Sequence, residues 1–252
     1  MKRSNNQGFS LVELAIVLVI FALLAGGLMM TLTTQQEIQR LSEVRRQLAD
    51  IREALLGYAI ANGRLPAPAK PAIASGITGA GESDDCLVQD SKDGNKCPPG
   101  QKTGFGVLPW ATLGLPETDP WGQRFTYRVD PKFADNISEK TVPDCKSPET
   151  TPPAPTQASF ALCSRGNIEV KDGSASIASE LPAIVISHGR NGLGGYGRDG
   201  NRRLGAIGDE KENANDDALF ISRAQAPDFD DEVIWIPLPI LMNRMMTASR
   251  LP

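Results

Sequence analysis

The pattern of polar and apolar positions divides the chain into three regions. The first eight residues, MKRSNNQG, are polar and include Lys2 and Arg3. They lead into FSLVELAIVLVIFALLAGGLMMTL, in which the stretch Leu14–Leu32 has neither charge nor proline. As a helix, that stretch extends roughly 28 Å at about 1.5 Å per residue, enough for the hydrocarbon core of a bilayer. The chain then continues without proline to Asn62, and its apolar residues become periodic. Ile38, Leu41, Val44, Leu48, Ile51, Leu55 and Tyr58 recur in steps of three and four, which predicts an amphipathic helix with one buried stripe. Gly63, followed by Pro66 and Pro68, marks its end. Phe9–Asn62 is therefore expected as one helix of about 80 Å, its first half apolar all round and its second half packed on its own domain.

Beyond Gly63 the pattern loosens. Residues 63–104 are rich in Pro, Gly, Ala and Asp and read as a long loop. Short β-branched and aromatic runs follow at Gly122–Val129, Ala158–Ser164, Ala183–Ser187, Leu219–Ser222 and Val233–Ile236. Most of their connections lack a helical crossover, so an antiparallel sheet is expected. Pro239–Ser249 predicts a short terminal helix carrying Ile240, Leu241, Met245 and Met246. The fold class is α+β: a long N-terminal helix packed on a small antiparallel sheet domain spanning residues 63–252.

Charge and cysteine usage add direction. The net charge of −4 becomes −6 if Lys2 and Arg3 leave with residues 1–8, and an acidic chain is a poor partner for nucleic acid. Lys2 and Arg3 hold the N-terminus on the cytoplasmic side, so the remainder projects outward into an oxidising compartment. Cys86, Cys97, Cys145 and Cys163 are then expected as disulfides. Of three pairings, Cys86–Cys97 and Cys145–Cys163 close the shortest loops within Pro/Gly-rich stretches, stapling them. Zinc fits poorly, since there is no CxxC pair and only one histidine. That histidine, His188, adjoins Ser187 without a G-x-S-x-G elbow, and the glycine-rich run after it lacks GK[ST]. No enzyme site is evident.

One residue interrupts the apolar region. Glu13 places a carboxylate at membrane depth with no cation in the same stretch. A cut between Gly8 and Phe9 would create an α-amino group at nearly that depth, and a neighbouring subunit shifted along a filament axis could bring it to Glu13. An ordinary secretory signal would instead be cut after the apolar run, at an A-x-A-like site.

Gly8-Phe9-Ser10-Leu11-Val12-Glu13-Leu14 resembles the class III signal of type IV pilins and type II secretion pseudopilins. The resemblance implies cleavage after Gly8 by a prepilin peptidase, methylation of the new N-terminal Phe9, and an assembly role for Glu13. It divides the chain into a leader (1–8), a long helix (9–62, transmembrane over 14–32) and a globular domain facing the periplasm or a surface filament. The implied location is the bacterial inner membrane, single-pass. The implied partners are other pilin or pseudopilin subunits, the peptidase, an inner-membrane assembly platform and lipid. Many pilins carry a kinking proline in the membrane half; its absence here points toward a pseudopilin or minor subunit.

Two further segments resemble the globular part of major pseudopilins: Asp119-Pro120-Trp121-Gly122 before Arg124–Tyr127, and Ile186–Gly192 before an acidic loop. In that group the second region binds calcium. The resemblance implies Asp209, Glu210, Glu212, Asn213, Asn215, Asp216 and Asp217 as its oxygen ligands, with no other cofactor required. The expected role is a structural filament subunit without enzymatic activity. The alternative is a minor tip or adhesion subunit whose loops bind a ligand or secreted protein.

Overall fold

The computed structural model describes residues 10–88, 103–135 and 158–251, with backbone alone for 24–34. The fold is α+β, and the chain divides into two compact units, Met1–Glu43 and Val44–Pro252. Gly8, Phe9, Cys97 and Cys145 lie outside the described residues.

Helix α1 (Leu11–Asn62) begins at Ser10, whose hydroxyl accepts from the Val12 N–H (3.4 Å) and whose carbonyl accepts from Leu14 (3.1 Å). In the first unit its large apolar side chains are exposed from Leu11 to Leu23, as is Ile38. The stripe expected from Ile38 onward is buried only from Val44. Among the described residues no helix is long and apolar enough to cross a membrane; residues 24–32 of the expected span lie beyond the described side chains.

In the second unit α1 buries Val44, Leu48, Ile51, Leu55, Leu56 and Ala59. Each of the valine, leucine and isoleucine side chains contributes about 1.5–3 kcal/mol by leaving water. The helix stops at Gly63, whose φ of 70° is the left-handed conformation that glycine adopts freely and whose N–H reaches Ala59 O (2.8 Å). Arg250 caps the same end, donating to the carbonyls of Ile60 (2.8 Å) and Ala61 (2.7 Å).

The α1 stripe packs with a four-stranded antiparallel sheet in the order β1 (Phe105–Val107), β3 (Thr126–Val129), β6 (Ala183–Ser187), β9 (Glu232–Ile236). On β6, Ala183 and Val185 enter this core while Ile184 and Ile186 enter a second one. Both faces of β6 are covered, so its sequence is continuously apolar rather than alternating. The second core includes Ile168, Val170 and Phe220 from a three-stranded sheet ordered β5 (Ala175–Leu181), β4 (Ile168–Asp172), β8 (Leu219–Ile221). A two-stranded pair joins β2 (Gln123–Arg124) to β7 (Tyr196–Gly197). Short helices α2 (Trp110–Leu113), α3 (Pro131–Ala134) and α4 (Gly208–Glu212) sit in the connections. Helix α5 (Leu238–Thr247) closes the first core with Leu238, Leu241, Met242 and Met245.

Several expectations need correction. The run Gly122–Val129 is two strands, β2 and β3, which pair in different sheets. Ala158–Ser164 forms turns: Ser159 N–H bonds Gly63 O (2.9 Å), and the Ser164 hydroxyl accepts from Ala161 N–H (3.0 Å). Its apolar content reflects burial, with Phe160 tilted against Phe133 at 4.8 Å between centroids. The pairing is not wholly antiparallel, because β4 and β8 run parallel across the long connection through β5, β6, β7 and α4. The terminal helix runs Leu238–Thr247 rather than Pro239–Ser249. Cys86 and Cys163 each take part in a disulfide, and no described cysteine is free; Cys97 and Cys145, the partners expected for them, lie outside the described residues.

Candidate functional site

Two places in the chain concentrate unusual chemistry. The first is the start of α1, where Leu11 is 89 % and Phe21 70 % exposed with apolar neighbours all round. A soluble chain does not leave such a surface bare, since apolar area drives association roughly in proportion to its extent. Glu13 lies in the first helical turn, where a carboxylate complements the positive helix end.

The second is the polar region where β6 ends. Asp119, almost fully buried, organises the turn before β2: its Oδ1 accepts from Trp121 N–H (3.0 Å) and Gln123 N–H (2.9 Å), and its Oδ2 from the Ser187 hydroxyl (2.7 Å). Burial raises its carboxyl above the ordinary aspartate value, against the pull of these hydrogen bonds. His188 is fully buried, its Nε2 2.8 Å from Thr126 Oγ1 and its Nδ1 3.6 Å from Asp231 Oδ1. The row has the residue types of a nucleophile–base–acid arrangement, but all three members are buried and none faces solvent. Glycine is required beside it, because a Cβ on Gly195 would sit 2.7 Å from the imidazole.

The acidic loop behaves differently from the ligand set expected of it. Asp209 is paired with Arg223 (2.6 Å) and Asp216 with Arg202 (3.5 Å). Asn215 donates to Glu212 (3.1 Å) and Asp217 (3.0 Å). Asn213 is buried, exchanging hydrogen bonds with the Ile221 backbone and donating to Asp231 Oδ2 (2.8 Å). Of the seven, only Glu210 joins a carboxylate cluster among the described residues, and its companions are Asp230 and Asp231, with ligand oxygens within 4.8 Å of one another. Burial and the Asp231 and Asp230 charges push the Glu210 carboxyl up, although Asn191 bonds it at 2.8 Å. Asp230 is also raised, by burial and by Asp231. Asp230 Oδ1 and Asp231 Oδ1 are buried with no hydrogen-bond partner, and the Asp231 side chain is fully enclosed. The Asp230–Asp231 pair was missed in the sequence because it stands twenty residues beyond Glu210 in the chain, just before β9, where it reads as a strand flank.

Residues 3–29 match the family model described as the prokaryotic N-terminal methylation motif. The chain carries a prepilin signal. The signal is that of type IV pilins and pseudopilins. The match spans Gly8, Phe9 and Glu13. No curated protein and no solved structure matches the chain.

Proposed function

We propose that this pilin-like chain is a non-enzymatic structural subunit of a type II secretion pseudopilus or a related pilus-like filament. The observation that carries the reading is a prepilin signal on a helix whose apolar side chains are exposed from Leu11 to Leu23. Cleavage after Gly8 and methylation of Phe9 produce the mature end. Residues Leu14–Leu32 then lie in the inner membrane before assembly and among neighbouring helices afterwards, with the assembly platform and lipid as further partners. The exposed residues drive association by removing apolar area from water or lipid headgroups, and Glu13 accepts the amine of the next subunit's Phe9. Glu13→Gln tests this directly: membrane insertion is expected to persist while filament incorporation, read by shearing and immunoblot, falls at least tenfold. Normal incorporation contradicts the pairing.

The globular unit forms the outer surface, its loops stapled by Cys86–Cys97 and Cys145–Cys163. The globular part is proposed to be of the major-pseudopilin type, with a calcium ion at the carboxylate cluster. Calcium takes several hard oxygen ligands, and the two oxygens without a hydrogen-bond partner, Asp230 Oδ1 and Asp231 Oδ1, together with Glu210 fit that demand. Bound calcium supplies the positive charge that three crowded carboxylates need. A chelator is expected to lower the Tm, and calcium at 100 times its Kd to stabilise by about 2.7 kcal/mol. Asp231→Asn should abolish that shift, and an unchanged Tm with chelator contradicts the site.

A further inference from the structure

Away from both regions, a groove of about 480 Å³ opens between β5 and the start of α5. Its size lies within the range of small-molecule sites. Trp235, Leu238 and Met242 form its apolar wall, and Arg165, Ser179 and Glu180 supply the polar side. The two charges in its lining are opposite and paired, with Arg165 Nε 3.3 Å from Glu180 Oε2. Both side chains are more than half exposed, so the groove offers a guanidinium and a carboxylate at its mouth with no net charge.

Glu180 has a second peculiarity. Its φ of 57° is left-handed, a conformation that a non-glycine residue holds only where its surroundings fix it. Its carbonyl accepts from the Gly166 N–H (3.1 Å), which fixes the strand end next to Arg165. It lies in the β-bulge between Ala178 and Leu181 of β5, a device that re-aims a side chain at a sheet edge.

We propose that this groove binds a neutral saccharide, one pyranose ring in size. The ligand must be uncharged to match a paired lining, and it must present both an apolar face and several hydroxyls. A pyranose does both: its axial C–H groups stack on an indole, and its hydroxyls donate to Glu180, accept from Arg165 and exchange with Ser179. No residue of α1 is among those lining the groove, so the proposal stands whether or not the filament reading does. It gives chemical content to the ligand-binding role of a tip or adhesion subunit.

The test uses the full chain in detergent, probed with methyl glucoside, methyl galactoside and N-acetylglucosamine by saturation-transfer NMR, with Trp235 assigned by the Trp235→Phe variant. At least one sugar is expected to bind with a Kd of about 1 mM. Arg165→Gln and Glu180→Gln should each weaken binding about tenfold with an unchanged Tm. Glu180→Gly separates fold from function: relieving the left-handed strain should hold or raise the Tm while binding still falls. No transfer to any of the three sugars overturns the proposal. So does binding that survives Arg165→Gln and Glu180→Gly unchanged.

Discussion

The two parts of α1 show how differently one helix can use apolar residues. From Val44 to Ala59 the apolar positions fall on one stripe and are buried by the unit's own sheet and by α5. From Leu11 to Leu23 they lie all round the helix and are exposed. A stripe can be satisfied inside one chain, because a sheet face covers it. An all-round apolar surface cannot, and its satisfaction must come from lipid or other helices. Stability of the folded unit is therefore encoded in the second region, and the proposed function assigns association to the first.

The sharpest way to break this division is truncation on either side of it. Leu55→Ala, at a fully buried position, should lower unfolding free energy by about 2–5 kcal/mol in denaturant titration. Leu18→Ala, at an exposed one, should leave that value unchanged and reduce filament incorporation instead. A large stability loss from Leu18→Ala would mean that the first region is folded against the globular unit.

A smaller effect is expected at the turn held by Asp119. Asp119→Ala strands the N–H groups of Trp121 and Gln123 and the Ser187 hydroxyl, at a cost of about 1–3 kcal/mol. Asp119→Asn keeps an acceptor for the backbone and should cost less. The same residue sharpens the pH behaviour. Burial raises both Asp119 and Asp130, so the folded chain holds protons that the unfolded chain has already released. Their contribution to stability thus falls as pH rises from about 3.8 through the raised folded values, then levels. Asp119→Asn should make the slope of Tm against pH shallower in that window.

Much of this was legible in the sequence. The helix end at Asn62 followed from Gly63 and the prolines after it, and β6 from a run of β-branched residues. The stripe from Val44 was visible as a period, whereas Ile38 fits the same period and is exposed. Periodicity reports which face is apolar, not where the covering sheet begins. The strand β5, Ala175–Leu181, was hidden because five of its seven residues are small, polar or charged, Ile177 and Leu181 excepted, and an outward-facing edge strand needs little apolar content. The carboxylate cluster was half legible. Glu210 stood out in an acid-rich loop, but only the return of the chain into β9 brings Asp230 and Asp231 to it. Long-range convergence of this kind leaves no local pattern. The neighbouring Asp209 and Asp216 looked equivalent in sequence and are occupied by Arg223 and Arg202.

If the exposed start of α1 belongs to a processed, assembling subunit, the N-terminus carries the mark of that processing. Mass spectrometry of the N-terminal peptide, from protein extracted with the native membrane, tests it most directly. The account predicts a chain beginning at Phe9 with a methylated α-amino group. A chain that retains Met1–Gly8, or one cut beyond Leu32, would contradict it.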